Sequence, residues 1–498
     1  MRSLLPCVAA VALLSAAPAG ALDRYPLRIP FVPSPATAEV EGKLEFLDAE
    51  RVDSSNPRQL PEGKLRVHLS LDVTPSVRFV NDLTGTVGGT PRDPRGAGVY
   101  DFDHVKQDIS PSLEVGEAYL DLYSRFLEVK LGLQKFAWGK LDTLQPNDLL
   151  NPQKYYDPVL EEEIDRKIGI PAIAPTFYLP PSGSSLLPTD LRLTLVWAPI
   201  YVPYYFPDQD ERWYPPLARV PRESHVMGIT VQNQSDFENA PLPHRTFGNG
   251  TWAARFSGLF GAADFALYYF EGFDPLPTLD ASARGFARLD PLNPQLFDAR
   301  SEVEIFPVFQ RIRSAGGDLA LKVLDATLRV EGAYIFDRLY PRSIRDVVAS
   351  EQIGLAQLPL VTGREVEVPV ILSPVNARRD AVEWGAGGDT FIGETFVLLQ
   401  ANQTAILRND VNLLLSNFET RFALTLRRSF LDDRLRAELL GLYGMQSVYG
   451  VAHPRLTYSV NDHFDVRIGY VLIEGHRESI VGQYKRNDEA YVRARFLF

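Results

Sequence analysis

Cysteine is nearly absent: Cys7 is the only one in 498 residues, and methionine occurs three times. That excludes a disulfide scaffold and a thiolate metal site. No charge-free apolar run of about 18 residues follows Ala21, so no transmembrane helix is expected in the mature chain. A basic excess is also missing, with 51 Lys and Arg against 63 Asp and Glu and a formal net charge of −12. Phosphate binding needs a dense Lys/Arg footprint, so no nucleic-acid partner is expected. The chain has no G-x-S-x-G, no H-E-x-x-H, no Walker A and no dinucleotide glycine fingerprint. The seven histidines (His68, His104, His225, His244, His453, His463 and His476) are scattered without ligand-type spacing. No catalytic residue, metal or cofactor is therefore assigned and the chain does not read as an enzyme, although adjacent strands could in principle assemble Ser and His on a wall.

What is present begins with an export signal. Arg2, the apolar stretch from Leu4 to Leu14 and the small residues ending in Ala19-Gly20-Ala21 form the pattern of a secretory signal cleaved before Leu22. Cys7 lies at the front of the apolar stretch instead of after it, so it does not read as a lipoprotein cysteine. The expected division is a signal peptide over 1–21, a periplasmic segment over 22–36 and one barrel over 37–498. No TonB box or plug domain is evident between Leu22 and Ala36.

The period is two along the whole mature chain. Leu65, Val67, Leu69, Leu71 and Val73 alternate with Arg66, His68, Ser70 and Asp72, and Leu127, Val129, Leu131 and Leu133 alternate with Glu128, Lys130, Gly132 and Gln134. Ile468 lies between Arg467 and Gly469, and the last strand sets Ala490, Val492, Ala494, Phe496 and Phe498 against Tyr491, Arg493 and Arg495. Charges in mid-strand on one face with apolar residues on the other fit a barrel whose outside meets lipid and whose inside is wet. The fold class expected is all-β, a transmembrane antiparallel up-and-down β-barrel of about 16–18 strands, placed in the bacterial outer membrane. Eighteen strands can be drawn, the least clear over 173–179 and 379–387, and one is drawn continuously over 305–323. Short connections include Ser124-Arg125, Phe260-Gly261, Leu324 to Ala326, Gly387 to Asp389, Leu431 to Asp433 and Asn461-Asp462. Long ones run over about 138–172, 200–249, 272–304 and 338–378, which makes the short turns periplasmic and the long loops external. The long loops are rich in Pro and aromatics, as in Trp213-Tyr214-Pro215-Pro216. They can cap themselves or fold into the mouth as a platform for a sugar or an apolar molecule.

A family resemblance rests on one stretch. Gly132-Leu133-Gln134-Lys135-Phe136-Ala137-Trp138-Gly139, then Asp142, then Asp148-Leu149-Leu150-Asn151-Pro152, resembles the G-x-Q-x-x-x-W-G … D-x-x-N-P signature of a proteobacterial outer-membrane barrel family of unassigned function, grouped with alginate-export-type porins. The resemblance implies passage of small or apolar compounds, sometimes alongside an inner-membrane exporter. By parity with Lys130, Gln134 should face the lumen, while Trp138 is expected at the membrane interface. Gly139, Asn147-Asp148 and Asn151-Pro152 supply turn chemistry, which either sets the exit angle of a loop or holds a constricting loop in place. The C-terminal Phe498 resembles the signal read by the barrel-assembly machinery, and lipid and lipopolysaccharide are the expected surroundings. Nothing in the sequence marks an oligomer interface.

Two charge clusters carry alternatives. Arg421, Arg427, Arg434, Arg436, Arg467, Arg493 and Arg495 are expected on the lumen face of the last five strands, either as an anion-favouring vestibule or as a ladder neutralised by Glu419, Glu438 and Asp465. Glu161-Glu162-Glu163-Ile164-Asp165, with Asp157 before it, reads as a solvated loop or short helix, with Ca²⁺ binding the sharper alternative.

Overall fold

The computed structural model describes residues 25–27, 36–52, 61–88, 112–155, 158–160, 163–180, 187–204, 207, 212–226, 229–237, 243–244, 246–276, 278–289, 297–349, 352–353, 365–408 and 413–498. Residues 1–21, expected as a signal peptide, and most of the 22–36 segment lie outside them. In chain order the strands are β1 (Tyr25–Leu27), β2 (Ala36–Arg51), β3 (Glu62–Thr74), β4 (Val77–Gly88), β5 (Ser112–Tyr123), β6 (Leu127–Gln134), β7 (Ile170–Tyr178), β8 (Thr189–Ala198), β9 (Glu223–Val226), β10 (Ile229–Phe237), β11 (Thr251–Phe260), β12 (Ala263–Phe273) and β13 (Thr278–Leu289). They continue with β14 (Phe297–Val308), β15 (Arg311–Val323), β16 (Ala326–Pro341), β17 (Gln352–Ile353), β18 (Glu365–Val368), β19 (Val370–Ile371), β20 (Asn376–Ile392), β21 (Thr395–Ile406), β22 (Phe418–Phe430), β23 (Leu435–Gly444), β24 (Tyr449–Ser459), β25 (Phe464–Gly475) and β26 (Glu489–Leu497). Two short helices, α1 (Glu163–Arg166) and α2 (Ile344–Ala349), lie in connections. Among the described residues no helix is long and apolar enough to cross a membrane.

Eighteen of these strands, β2 to β8, β11, β12, β15, β16 and β20 to β26, form one closed antiparallel ring in sequence order. The seam pairs β2 with β26, from Lys43 opposite Leu497 to Arg51 opposite Glu489. Closure leaves no free edge, so every strand finds its ladder partners without water. All eighteen strands drawn from alternation are present, including those over 173–179 and 379–387, so the count is 18, not 16. The alternation also sorts the faces. Leu131, Leu267, Leu328, Leu399 and Ile468 are exposed on the outside, while Gln134, Asp318, Glu331, Gln400 and Arg467 are buried on the inside. That inversion of the soluble-protein rule is what hydrocarbon outside and a polar lumen inside require.

Two boundaries differ from the sequence reading. The run 305–323 is not one strand: β14 ends at Val308 and belongs to an external sheet, and only β15 lies in the wall. The turn expected at Gly387 to Asp389 falls instead at Gly393-Glu394, where Gly393 has φ +59°. Gly385 and Gly387 lie mid-strand because the lumen is crowded there: a Cβ on Gly385 would come within 2.8 Å of Leu141. Glycines that admit a close approach read, in sequence, as a turn.

The long connections form a cap. Strands β9, β10, β13, β14 and β18, drawn from three different connections, make a five-stranded sheet in which β10 and β14 run parallel. Beneath it Tyr214, Leu279, Val303, Ile305, Ile344, Val347 and Val348 form a core shared by all three. A core of this kind orders loops that could not bury enough apolar surface singly.

Candidate functional site: a lumen crossed by the 135–169 connection

The connection between β6 and β7 folds inward and is tied across the barrel. Its base is closed by the sequence signature itself. Gln134 is 2% exposed on the lumen side, and its amide donates to the Ala172 carbonyl at 2.9 Å. The Asn151 amide donates to the carbonyls of Gln134 (3.1 Å) and Ile168 (2.8 Å), while its oxygen accepts the Phe136 N–H at 2.7 Å. The Ile168 N–H donates to the Pro152 carbonyl, closing the returning arm onto the outgoing one. Lys167 and Asp148 form a buried ion pair, and the Lys167 ammonium also donates to the Phe136 carbonyl. Burial pushes the Asp148 carboxyl above the usual carboxylate range, against the pull of the Lys167 ammonium. Gly132, at φ +135°, leaves no room for a side chain, since a Cβ would lie 2.3 Å from the Ala118 carbonyl oxygen.

Trp138 departs from its expected place. It is not at the membrane interface but buried inside the barrel, with its ring 5.6 Å from Tyr268 and 6.3 Å from Phe136. The reason is that the chain leaves β6 inward, carrying the indole into a cluster with Ile335 and Phe270.

Beyond Trp138 the far wall takes over. The Glu331 carboxylate on β16 accepts three backbone N–H groups, those of Lys140 (2.9 Å), Leu141 (3.2 Å) and Asn147 (2.9 Å). Gly139, at φ +102°, is required beside it because a Cβ would come 2.7 Å from a Glu331 oxygen. On β21 the Gln400 oxygen accepts the Asp142 N–H at 3.0 Å, and the Gln400 and Asn402 amides donate to the Leu144 carbonyl at 3.2 and 3.0 Å. Lys140 pairs with Asp264 at 2.6 Å, and Arg329 reaches Asp142 at 3.4 Å as well as Asp389. Burial raises the Asp142 carboxyl, with Arg329 opposing the shift. The returning arm touches the remaining wall: Asp165 in α1 pairs with Arg66 at 2.6 Å, and the Leu160 carbonyl accepts from Arg493 at 2.9 Å. Glu163 and Asp165 thus lie in the short helix that was one of the expected forms, with Asp165 paired to the wall, while Asp157, Glu161 and Glu162 lie outside the described residues.

A second connection, between β8 and β11, reaches the mouth from above. Arg212 pairs with Glu489 at 2.6 Å and donates to the Asn487 carbonyl. Trp213 packs with Leu160, Val471, Ile473 and Tyr491, the last three on the inner wall.

The arginines lie largely where parity put them. Arg421, Arg427, Arg436, Arg467, Arg493 and Arg495 are on lumen-side positions of β22, β23, β25 and β26. Arg434 is not; it sits exposed in the turn between β22 and β23, because the tight connection runs from Leu431 to Arg434 with positive φ at Leu431, Asp432 and Asp433. Neutralisation is partial. Asp465 pairs with Arg495 at 2.7 Å, but Glu438 is taken by Arg455 at 2.8 Å and Glu419 accepts from Ser447 at 2.6 Å. Arg421 donates to Thr404, Arg427 lies 4.6 Å over the Phe396 ring, and Arg467 donates to Thr457 at 3.0 Å. Phe498 closes the seam: its N–H and carbonyl exchange hydrogen bonds with Gly42, and its ring covers the space a Gly42 side chain would need.

An apolar exterior, a charged interior, no free edge and the start of β2 and end of β26 both on the short-turn side leave one assignment. The protein is an outer-membrane β-barrel. No family model matches the chain, and no curated protein does. Among solved structures it is similar to OccAB2 of Acinetobacter baumannii, at 11% identity and TM-score 0.47, covering 93% of this chain and 98% of that one. OpdK of Pseudomonas aeruginosa, solved with vanillate, gives 10% and 0.45 with the same coverages. Salmonella typhi OmpF, in complex with daunomycin, gives 8% and 0.37, again with 93% and 98% covered. These are likenesses in the course of the chain and carry no function across.

Proposed function

We propose that this barrel is a channel for passive passage of small solutes across the outer membrane, with anions favoured. One observation carries the reading: Arg421, Arg427, Arg436 and Arg467 line one side of the lumen without an ion-paired carboxylate among the described residues, whereas Asp142 and Asp165 of the inserted connection pair with other walls and Asp148 with the connection's own Lys167. Guanidinium groups stay charged at any workable pH and attract anions along a wet path. Transport of this kind needs no chemistry, only a filter, which the 135–169 connection supplies by crossing the lumen. A polar lumen suits a hydrophilic solute better than the apolar compound the family resemblance also implies. An inner-membrane exporter, implied by the same resemblance, would meet the short-turn face.

The cap favours a second reading, an occluded barrel that displays its external sheet as a surface scaffold or adhesion module. Single-channel conductance in a planar bilayer, with the reversal potential in a salt gradient, separates the two. Stable steps with anion preference, reduced by Arg421→Glu, are expected for the channel. A silent bilayer with a correctly folded barrel overturns it in favour of the scaffold.

A further inference from the structure

The base of the inserted connection buries two groups of opposite charge. The side chains of Lys167 and Asp148 are 2% and 5% exposed and form an ion pair. Their chain neighbours Leu149, Leu150, Ile168 and Ile170 belong, with Trp138, to the apolar core inside the barrel. Both partners are held in place. Asp148 Oδ1 accepts the Trp138 N–H at 3.4 Å, and the Lys167 ammonium donates to the Phe136 carbonyl at 2.9 Å. The two arms are zipped around them: Lys167 bridges to Gln153, the Lys154 N–H donates to the Arg166 carbonyl at 2.8 Å, and the Ile168 N–H to that of Pro152 at 2.8 Å. A third titratable group stands beside the pair. Glu163 opens α1 four residues before Lys167, and burial and the Asp148 charge hold its carboxyl above the usual carboxylate range, against the pull of Lys167. Solute passage uses none of these three groups.

We propose that Lys167 and Asp148 are the reactants of an intramolecular amide bond, in which Lys167 Nζ attacks Asp148 Cγ and one carboxyl oxygen leaves as water. In solution an ammonium and a carboxylate stay apart because water solvates both charges. Buried here they lose that solvation, and a neutral amide removes the penalty of keeping them charged. Holding both on zipped arms turns an encounter into a unimolecular step. The reaction balances on the groups present. The nitrogen loses two protons, the departing oxygen gains both, and Glu163 is placed to relay them. One C–N bond forms, one C–O bond breaks, and nothing is oxidised or reduced. The product ties residue 148 to residue 167, so the tract that crosses the lumen has a covalent base beneath the hydrogen bonds of Gln134 and Asn151. The bond is independent of whether the barrel conducts.

The test is a peptide map of the full-length protein taken from outer membranes, denatured and cut with trypsin. Peptides 141–154 and 167–192 are expected as one linked species, a water lighter than their sum, with Lys167 uncut and the link located at Asp148 and Lys167 by fragmentation. Separate 141–154 and 168–192 peptides, with Lys167 cleaved, would overturn the bond. Asp148→Ala is expected to abolish the linked species, and its persistence would show that another carboxyl is joined. Should that variant fail to fold, Lys167→Arg keeps the ion pair but removes the amine, and the same loss is expected; a link surviving it counts equally against the bond. Glu163→Gln tests the relay. On refolding from denaturant its linkage rate should fall about a hundredfold, and an unchanged rate takes Glu163 out of the reaction.

Discussion

Glu331 shows how much one side chain can organise. It occupies a lumen-side position on β16 and accepts three N–H groups from a segment nearly two hundred residues earlier. Hydrogen bonds to a charged group contribute about 1.5–3 kcal/mol each, so Glu331→Ala should shift the docking of the 139–147 segment by about a hundredfold or more. Single-channel conductance is expected to rise in that variant, with the heat-modifiable gel band of the folded barrel unchanged. An unchanged conductance would mean that Gln400 and Asn402 hold the segment unaided. Alternation with Leu328 and Val330 puts Glu331 on a defined face, but nothing in the sequence names its partner. Parity is local, while the contact spans 190 positions for Leu141 and 258 for Asp142 with Gln400. Gln134, Asn151 and Pro152 were legible because they act within one motif, on chain only 17 residues away.

At the scale of a strand, the two faces of β25 give opposite answers to the same substitution. Ile468 is half exposed to the lipid side and Arg467 is buried toward the lumen. Ile468→Arg should cost about 2–4 kcal/mol if placed near the midplane, measured by denaturant unfolding in lipid vesicles. Arg467→Ile, which removes a repulsive neighbour of Arg493, should cost less. A reversed order would turn the barrel inside out and with it every face assignment made from alternation. The strands were readable because period two survives wherever one face meets hydrocarbon. What failed were edges of strands: Gly387 reads as the start of a turn because a glycine there yields space to Gln400. The Phe297–Val308 strand was run into its neighbour because an external strand alternates just as a wall strand does.

For the molecule as a whole, the cap connections meet the inserted connection at Tyr155, which donates to the Pro275 carbonyl, at Leu150, which packs with Val202, and at Leu160, beneath Trp213. Trp213 descends onto Leu160, Val471 and Ile473, and Arg212 fastens the same segment to Glu489. The double variant Arg212→Ala, Trp213→Ala should loosen the 199–250 connection at the mouth. Buried aromatic truncation costs about 3–5 kcal/mol, so external protease sites in the 199–250 connection should become cleavable while the wall resists. Equal resistance in wild type and variant would show that the cap core around Tyr214 and Ile305 suffices by itself. The sequence announced long external loops rich in aromatics but not their joint sheet, because β10 and β14 pair across two connections in parallel, a pairing with no local signature.

The seam between β2 and β26 bears on how such a molecule can be made. Its first and last wall strands are each other's partners, and the tract that crosses the lumen is bonded to strands synthesised much later. Closing the ring therefore needs both ends of the wall: a chain that lacks β2 or β26 leaves two strand edges unpaired in hydrocarbon.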